Sequence, residues 1–152
     1  MRFNNYNSVR LFICLFCFIS SFLYGQNSPV ITSNGGGSTA SISFAENTAS
    51  AVTTVTSSDV DAGATAAYSI SGTDVSVFDI DGTSGVLTFK SAPDFETKID
   101  SNTDNDYIVI VTVTDSGSNT DSQTITVSVT NVNEAPVITS NGGGSTASIS
   151  FA

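Results

Sequence analysis

Residues 107–114, YIVIVTVT, and residues 123–129, QTITVSV, decide the fold of this chain. In both segments large apolar side chains occur at every second position. They are Tyr107, Val109, Val111 and Val113 in the first segment, and Ile125, Val127 and Val129 in the second. Because successive side chains of a strand point to opposite faces, this spacing predicts two long strands with one buried face. Ile108 and Ile110 lie on the opposite face of the first strand, so we expect part of that outer face to be covered.

Shorter segments of the same kind come before these two strands, at the spacing typical of sandwich folds. They are residues 41–44, 51–56 and 67–71, and the pair 78–80 and 86–89, which flanks the turn sequence DGTSG. Seven strands within one domain predict an all-β fold, a seven-stranded Greek-key β-sandwich of the immunoglobulin-like type.

The composition excludes several classes of function. The chain has 14 Asp and Glu, 4 Lys and Arg, and no His. Nucleic-acid backbones are bound through Lys and Arg, so an acidic chain of this kind is not expected to bind nucleic acid. Since both Cys lie in an N-terminal apolar run and His is absent, the groups used in most catalytic sites are missing. We expect no enzymatic activity and no small-molecule substrate.

Residues 1–25 are predicted to form a signal peptide. Arg2 and Arg10 flank a polar region, the apolar run 11–19 is too short to span a bilayer comfortably, and Gly25 suits a cleavage site. An uncleaved anchor or a buried core helix is the alternative. Cleavage would leave a net charge of 2 − 14 = −12 and no cysteine. A divalent cation is therefore the simplest candidate for neutralising and stabilising the exported domain.

One segment occurs twice without change. The sequence PVITSNGGGSTASISFA spans residues 29–45 and again residues 136–152, an offset of 136 − 29 = 107 residues. A period of this size corresponds to a whole domain in a tandem array. We therefore predict one repeat over residues 26–135 and the truncated start of a second, identical repeat over residues 136–152.

Two pairs of acidic residues have the same spacing. Asp59 and Asp61, and likewise Asp94 and Glu96, stand two positions apart, so in an extended chain both carboxylates of a pair point the same way. Like charges held together repel unless a cation lies between them, and Ca²⁺ is the hard cation that accepts six to eight oxygen ligands. For either pair alone, a solvated acidic turn is the alternative interpretation.

Six short motifs, taken in order, resemble those of the cadherin repeat. They are Ala45-Glu46-Asn47, Asp59-Val60-Asp61-Ala62-Gly63, the hairpin 78–88, Pro93-Asp94-Phe95-Glu96, the alternating strand that ends at Asp115, and the linker Asn131-Val132-Asn133-Glu134-Ala135-Pro136. Together they cover nearly all of residues 29–136. The overall pattern is similar to cadherin-like arrays of bacterial surface proteins.

The resemblance implies a calcium site between consecutive repeats. The implied ligands are Glu46, Asp94, Glu96, Asn131, Val132 through its carbonyl, Asn133 and Glu134 at one end of the repeat, and Asp59 and Asp61 at the other. Asn131 and Glu134 replace the Asp residues that are usual in the family, which should weaken affinity. Asp79 and Asp115 are interpreted as turn-forming residues, and residues 100–106 as an exposed loop.

Three functions are compatible with this pattern. The first is an exported adhesion module in which Ca²⁺ stiffens the junctions between neighbouring repeats, with the same protein or other surface proteins on adjacent cells as partners. The second is a structural spacer in a large surface or secreted protein. The third, a carbohydrate-binding sandwich, would need exposed aromatic residues, whereas those of the repeat mostly fall at core-facing positions. Adhesion by exchange of a Trp-anchored strand is not supported, because the chain has no Trp.

Overall fold

Nine β-strands make up the described part of the chain, which comprises residues 27–61, 65–140, 144–146 and 148–151 of the computed structural model. They are β1 (Val30–Ile31), β2 (Thr39–Ala45), β3 (Ala51–Thr54), β4 (Ser57–Ser58), β5 (Ala67–Ser71), β6 (Phe78–Ile80), β7 (Val86–Phe89), β8 (Asp106–Thr114) and β9 (Thr120–Thr130). A 3-10 turn, Val75–Val77, comes before β6, and these ranges contain no α-helix. The predicted all-β class is confirmed. The predicted signal peptide, residues 1–25, lies outside the described residues, as do Ala62 and Gly63.

The seven predicted strands correspond to β2, β3 and β5 to β9, and the structure adds the two-residue strands β1 and β4. The order of the larger sheet is β2-β9-β8-β5 and that of the smaller one is β3-β7-β6, while β1 pairs with β4. The chain passes between the two larger sheets four times, from β2 to β3, from β3 by way of β4 to β5, from β5 to β6 and from β7 to β8. These crossings, together with the hairpins β6-β7 and β8-β9, give the predicted Greek-key sandwich.

β2 joins the larger sheet in parallel to β9, with a register that runs from Thr39 opposite Thr124 to Ala45 opposite Thr130. The end of β2 therefore lies beside the end of β9. This pairing brings the residues that follow Ala45 next to the linker that follows Thr130, although they are far apart in sequence.

The core is built from the alternating residues of β8 and β9. All seven of the predicted inward-facing side chains are buried, with exposures of 0 to 4%. Ile108 and Ile110 on the outer face are half-buried, as expected from the sequence. Burial of apolar surface on this scale is the main force that holds the two sheets together.

An aromatic cluster joins the two sheets. The ring of Phe89 in the smaller sheet lies 5.4 Å from that of Phe44 and 5.3 Å from that of Tyr107 in the larger sheet, measured between centroids. The Phe89 and Tyr107 rings meet edge to face at 89°, a favourable arrangement for aromatic pairs. Phe95 packs against the same core. The cluster therefore provides a packed base under the residues that follow β2 and β7.

The repeated segment has two different structures in its two positions. Residues 29–45 contain β1 and β2, whereas the described part of residues 136–152 contains no strand. Ile31 is 1% exposed, while its counterpart Ile138 is 67% exposed. The first copy pairs with β4 and β9, and those pairing edges are already occupied when the second copy begins. Identical sequence thus folds only where strand partners are available.

Replacement of Gly85 by Ala is expected to destabilise the domain by roughly 2–5 kcal/mol. Gly85 has a φ of +72°, which costs an L-residue about 1–2 kcal/mol. A Cβ at this position would also overlap the carbonyl oxygen of Val55, an overpacking penalty of about 1–3 kcal/mol. Urea denaturation measures the change.

Gly35→Ala is the matched control, because Gly35 has a φ of +86° with open space around the missing Cβ. We expect this variant to lose only the stability that corresponds to backbone strain at a positive φ, about 1–2 kcal/mol. Equal losses in the two variants would show that the contact with Val55 is not the reason for the glycine.

Candidate metal site

Three carboxylates meet at the end of the sandwich from which the linker leaves, called here the linker end. Glu46 follows β2, and Asp94 and Glu96 lie in the loop after β7. One carboxylate oxygen from each lies within 4.8 Å of the others. Oxygens bound to one Ca²⁺ at 2.3–2.6 Å lie up to ~5 Å apart, so this spacing fits a single divalent ion.

Glu46 is the buried member of this group, with 2% of its surface exposed. Its Oε2 accepts a hydrogen bond from the backbone N–H of Phe95 at 2.8 Å, and its Oε1 accepts one from the backbone N–H of Val132 at 2.8 Å. One carboxylate therefore connects the end of β2, the acidic loop and the linker. Each oxygen keeps a further lone pair that can ligate an ion.

Asp94 shapes the acidic loop. Its Oδ1 accepts hydrogen bonds from the backbone N–H groups of Glu96 and Thr97, both at 2.9 Å. The hydroxyl and then the N–H of Thr97 are the main causes that lower the pKa of Asp94 below its ordinary value. The turn therefore favours the charged form of the carboxylate, which is the form that binds a cation.

The linker contacts the linker end through side chains as well as the backbone. The Asn131 amide Nδ2 donates to Glu96 Oε1 at 2.6 Å, and the Asn47 amide Nδ2 donates to Glu134 Oε1. The backbone N–H of Val132 donates to Glu46, while ligation of an ion by its carbonyl stays a prediction. Asn133 is exposed and has no hydrogen-bond partner among the described residues. Of the seven residues predicted at this end, five take part in hydrogen bonds between the linker and the rest of the domain, and Asp94 is bonded only within its own loop.

Asp59 and Asp61 lie at the opposite end of the sandwich, called here the far end. Asp59 Oδ1 accepts a hydrogen bond from the backbone N–H of Asp61 at 2.8 Å. Asp59 Oδ2 is buried without a hydrogen-bond partner in the described structure. Asp61 accepts hydrogen bonds from the backbone N–H and the side-chain amide of Asn27. A buried carboxylate oxygen normally has a hydrogen-bond partner or a bound ion. Since Asp59 Oδ2 has no such partner in the described structure, it is available to bind a cation.

Asp115 is a far-end residue that the sequence analysis treated only as turn-forming. It does form a turn, because its carboxylate accepts hydrogen bonds from the side-chain amide and the backbone N–H of Asn119. These hydrogen bonds, the amide first, lower the pKa of Asp115. It also lines a cavity of ≈ 70 Å³ together with Asp59. The available signal was the alternation of β8, since Asp115 continues the buried positions by one more step.

The interpretation of Asp79 as a turn-forming residue was wrong, and that of residues 100–106 as an exposed loop is confirmed only in part. Asp79 lies within β6, where it is exposed and forms an ion pair with Lys90 at 4.0 Å, whereas Asp81 forms the turn. In the loop 100–106, Asp100 and Asn105 are 4% and 3% exposed, so the loop is only partly on the surface. Asp100 accepts hydrogen bonds from main-chain N–H groups of its own loop, which draws that side chain inward.

Comparisons with known proteins agree with this architecture. The sequence profile of the cadherin domain matches residues 40–130. The chain is similar to the solved structure of PcdhgB3 EC1-4, with 27% identity and a TM-score of 0.57 over 69% of this chain and 24% of that one. It also matches protocadherin gamma B7 domains 1–4, with 22% identity and a TM-score of 0.58 over 69% of this chain and 24% of that one. Drosophila N-cadherin EC1-4 matches with 24% identity and a TM-score of 0.55, over 71% and 26% of the two chains.

The chain therefore spans about a quarter of the length of these solved structures. No curated protein sequence matches it. Within the described ranges, no helix has the length and apolar character needed to cross a membrane.

Replacement of Glu46 by Ala is expected to destabilise the domain by about 2–4 kcal/mol in the presence of a chelator. The variant loses two hydrogen bonds to a charged acceptor and leaves the N–H groups of Phe95 and Val132 without that acceptor. Urea denaturation in EDTA measures the loss. Glu96→Ala serves as the control, since Glu96 is exposed and we expect a change within ~1 kcal/mol. Equal losses would contradict the connecting role of Glu46.

Replacement of Asp81 by Asn is expected to produce a stability loss that depends on pH. The N–H groups of Ser84 and Thr83 lower the pKa of Asp81 in the folded chain below its ordinary value of 3.8. The folded state therefore binds the proton less tightly, and the carboxylate stabilises the domain above pH 3.8. The difference in unfolding free energy between parent and variant should have its full size at pH 7. It should become smaller as the pH falls below 3.8 towards the pKa of Asp81 in the folded chain.

Urea midpoints at pH 7, 5 and 3 measure this difference. Asp79→Asn is the control, because the Asp79 side chain accepts no backbone N–H in the described structure. A difference that widens at pH 3 would contradict the assignment.

Proposed function

This chain belongs to the cadherin family, and from that premise we propose that it is a calcium-binding adhesion module of an exported tandem-repeat protein. The observation that carries the proposal is the convergence of Glu46, Asp94 and Glu96 at the end where the linker leaves. Calcium would stiffen the junction between repeats, and the stiffened array would present its outer tip to another cell surface.

The donor set fits calcium rather than a softer metal. Glu46, Asp94, Glu96 and Glu134 supply carboxylate oxygens and Asn131 an amide oxygen, all of which are hard ligands. Among the described residues, Lys90 forms an ion pair with Asp79, which involves none of these carboxylates. A bound divalent cation would supply positive charge to these carboxylates, which form no ion pair with a basic side chain in the described structure. These residues would then hold the acidic loop and the linker together.

The far end supports a second half-site. Asp59, Asp61 and Asp115 carry three carboxylates at the far end, and Asp59 Oδ2 has no partner in the described structure. We propose that these residues face the linker end of a preceding repeat. One repeat would then contribute its linker end to one junction and its far end to another, as a tandem array requires.

The proposed domain organisation follows the repeated segment. Residues 1–25 would direct export, residues 26–135 would form the repeat, and residues 136–152 would begin the next one. The exposure of Ile138 supports this organisation, because its counterpart Ile31 is buried in the complete repeat. Apolar side chains of this kind are normally covered by the remainder of a domain.

The proposed location is extracellular, on the cell surface or in secreted form, in agreement with a cadherin-type extracellular fold. Neighbouring repeats would be the partners along the array. The same protein or other surface proteins of adjacent cells would be the partners across it. Cadherin domains act as adhesion modules rather than enzymes, and no catalytic step is proposed for this chain.

A structural spacer is the second candidate function. The unchanged repetition of residues 29–45 as residues 136–152 favours it, because a spacer tolerates duplication of identical modules. The two functions differ in what calcium controls. Beads coated with a multi-repeat protein should aggregate only with Ca²⁺ if the module is adhesive. If it is a spacer, Ca²⁺ should change the stiffness of the array without causing aggregation.

A protein with two tandem copies of residues 27–135 is expected to bind Ca²⁺ and to melt at a higher temperature than in EDTA. An ion that binds only the folded junction stabilises it by about 2.7 kcal/mol at a hundredfold excess over Kd. For a protein of this size that corresponds to a rise of roughly 5–10 °C. Titration calorimetry and thermal melting provide the two measurements.

Neutralisation of Asp94 and Glu96 as Asp94→Asn and Glu96→Gln should abolish the calcium-dependent rise. Asp79→Asn removes one charge away from both ends and should leave the rise unchanged. No bound Ca²⁺, together with an unchanged melting temperature, would refute the calcium-binding function.

A further inference from the structure

One side-chain amide connects the two larger sheets through the loop between β1 and β2, residues 32–38, called here the glycine-rich loop. Asn34 Nδ2 donates a hydrogen bond to Gln123 Oε1 at 3.1 Å, and Gln123 lies in β9 of the larger sheet. Asn34 Oδ1 accepts a hydrogen bond from the hydroxyl of Thr53 at 2.9 Å, and Thr53 lies in β3 of the smaller sheet. Both polar atoms of this amide therefore hold the loop in place.

The orientation of the Asn34 amide is fixed by Gln123, whose exposure is 0%. Gln123 Nε2 donates to the backbone carbonyls of Gly37 at 2.7 Å and Ser33 at 3.4 Å. Because carbonyl oxygens only accept hydrogen bonds, Nε2 must face the loop, and Oε1 remains as an acceptor that needs a donor. Asn34 supplies this donor with its Nδ2. A carboxylate at position 34 would have no hydrogen to offer to Gln123 Oε1.

The residue that follows Asn34 makes this amide chemically labile. Asn is a thermally labile residue, and Gly35 has no Cβ to shield its backbone nitrogen. This nitrogen can attack Asn34 Cγ. The new N–Cγ bond closes a succinimide ring, the Cγ–Nδ2 bond breaks, and ammonia leaves with the proton of the Gly35 N–H. Water then opens the ring at either carbonyl and leaves aspartate or isoaspartate at position 34. Gly35 is exposed, so base and water reach this part of the loop.

The folded domain opposes this reaction. Ring closure folds the Asn34 side chain back onto its own backbone, whereas in the domain both of its polar atoms are directed at other strands. Expulsion of Nδ2 also removes the donor of the hydrogen bond to Gln123. The loop must therefore open, with the loss of both hydrogen bonds, before the Gly35 nitrogen can react.

We propose that Asn34 is a protected deamidation site: the fold slows loss of the amide, and loss of the amide releases the glycine-rich loop from Gln123. The product carboxylate only accepts hydrogen bonds, so Gln123 Oε1 is left without its donor inside the sandwich, which destabilises the folded state. The conversion needs no reactant besides water and proceeds in one direction. It is independent of the proposed calcium function.

Peptide mapping by mass spectrometry measures the rate at mildly alkaline pH, in buffer and in urea above the unfolding midpoint. In urea Asn141 is an internal standard, because residues 33–38 and 140–145 have the same sequence, SNGGGS, and both sites should react at the same rate. In the folded chain Asn34 should react roughly tenfold or more slowly than in urea, the combined effect of two hydrogen bonds. Equal rates in buffer and in urea would overturn the protection.

The chemical route is tested in urea, where folding plays no part. Gly35→Ala should slow the reaction of Asn34 and leave that of Asn141 unchanged, because a Cβ shields only the first nitrogen. Isoaspartate should be among the products, since it forms from the ring and not by direct hydrolysis of the side chain. An unchanged rate at Asn34, or aspartate alone, would overturn the succinimide route.

Thr53→Val tests the protection in the folded chain. Loss of its hydroxyl should speed the reaction of Asn34 about threefold to tenfold, the effect of one hydrogen bond. Thr54→Val is the matched control, because it removes a hydroxyl from an exposed side chain of the same strand, and it should change the rate less than about twofold. Equal rates in the two variants, or a slower reaction in Thr53→Val, would overturn the protective role of this hydroxyl.

Glu46→Ala separates local opening of the loop from global unfolding. It destabilises the domain at the linker end without touching Asn34, so the rate at Asn34 should stay within about twofold of the parent. A rise in step with the unfolding equilibrium constant would show that Asn34 reacts only in the unfolded chain and would overturn protection by the loop.

Asn34→Asp imitates the main consequence of the reaction. Its unfolding equilibrium constant, from urea denaturation, should be about tenfold larger than that of the parent, because Gln123 Oε1 loses its donor. Ser38→Asp is the matched control, since it adds the same charge to an exposed residue of the same loop and leaves the amide in place. Equal losses in the two variants would overturn release of the loop. None of these measurements involves Ca²⁺, so their outcome and that of the calcium experiments are separate.

Discussion

The buried carboxylate of Glu46 is the interaction on which the functional end of this domain depends. Its two oxygens accept the N–H groups of Phe95 and Val132, so one side chain attaches both the acidic loop and the linker to the end of β2. A charge buried in this way is tolerated only when hydrogen bonds or a cation compensate it. Folding of the loop and docking of the linker are therefore coupled to the same group that would bind an ion.

The sandwich explains why these groups meet. The parallel pairing of β2 with β9 puts Ala45 beside Thr130. The segment that follows β2 and the linker that follows β9 therefore begin next to each other. The aromatic cluster around Phe89 and Phe44 packs directly behind that point. Because β8 and β9 extend along the whole sandwich, the same two strands also separate the linker end from the far end. Their length therefore sets the distance between the two acidic ends of the domain.

Electrostatics then determines how the ends behave. The acidic groups of the linker end are not matched by nearby basic side chains in the described structure, so hydrogen-bond donors and cations are the available partners. Amides provide the first kind of partner through Asn131 and Asn47. A divalent ion would provide the second.

The alternation of apolar residues was sufficient to predict the sandwich and the buried faces of β8 and β9, because the period of two reflects strand geometry alone. The paired spacing of Asp59 with Asp61, and of Asp94 with Glu96, similarly identified two pairs of carboxylates from local information. The resemblance of short motifs assigned the pairs to opposite ends of the repeat and supplied the linker residues. The role of Asp115 was not predicted, because its position beside Asp59 depends on how distant strands pair.

Tertiary structure alone decided what the repeated segment becomes. Residues 29–45 and 136–152 have the same sequence, yet only the first copy forms strands, because only it has unoccupied edges of β4 and β9 to pair with. Tertiary structure also decided which groups meet at the linker end, where the Val132 N–H donates to Glu46 and the Asn131 amide donates to Glu96. Local periodicity and spacing can be read from the sequence. Which groups pair with each other depends on the fold, because the fold brings together residues that are far apart along the chain.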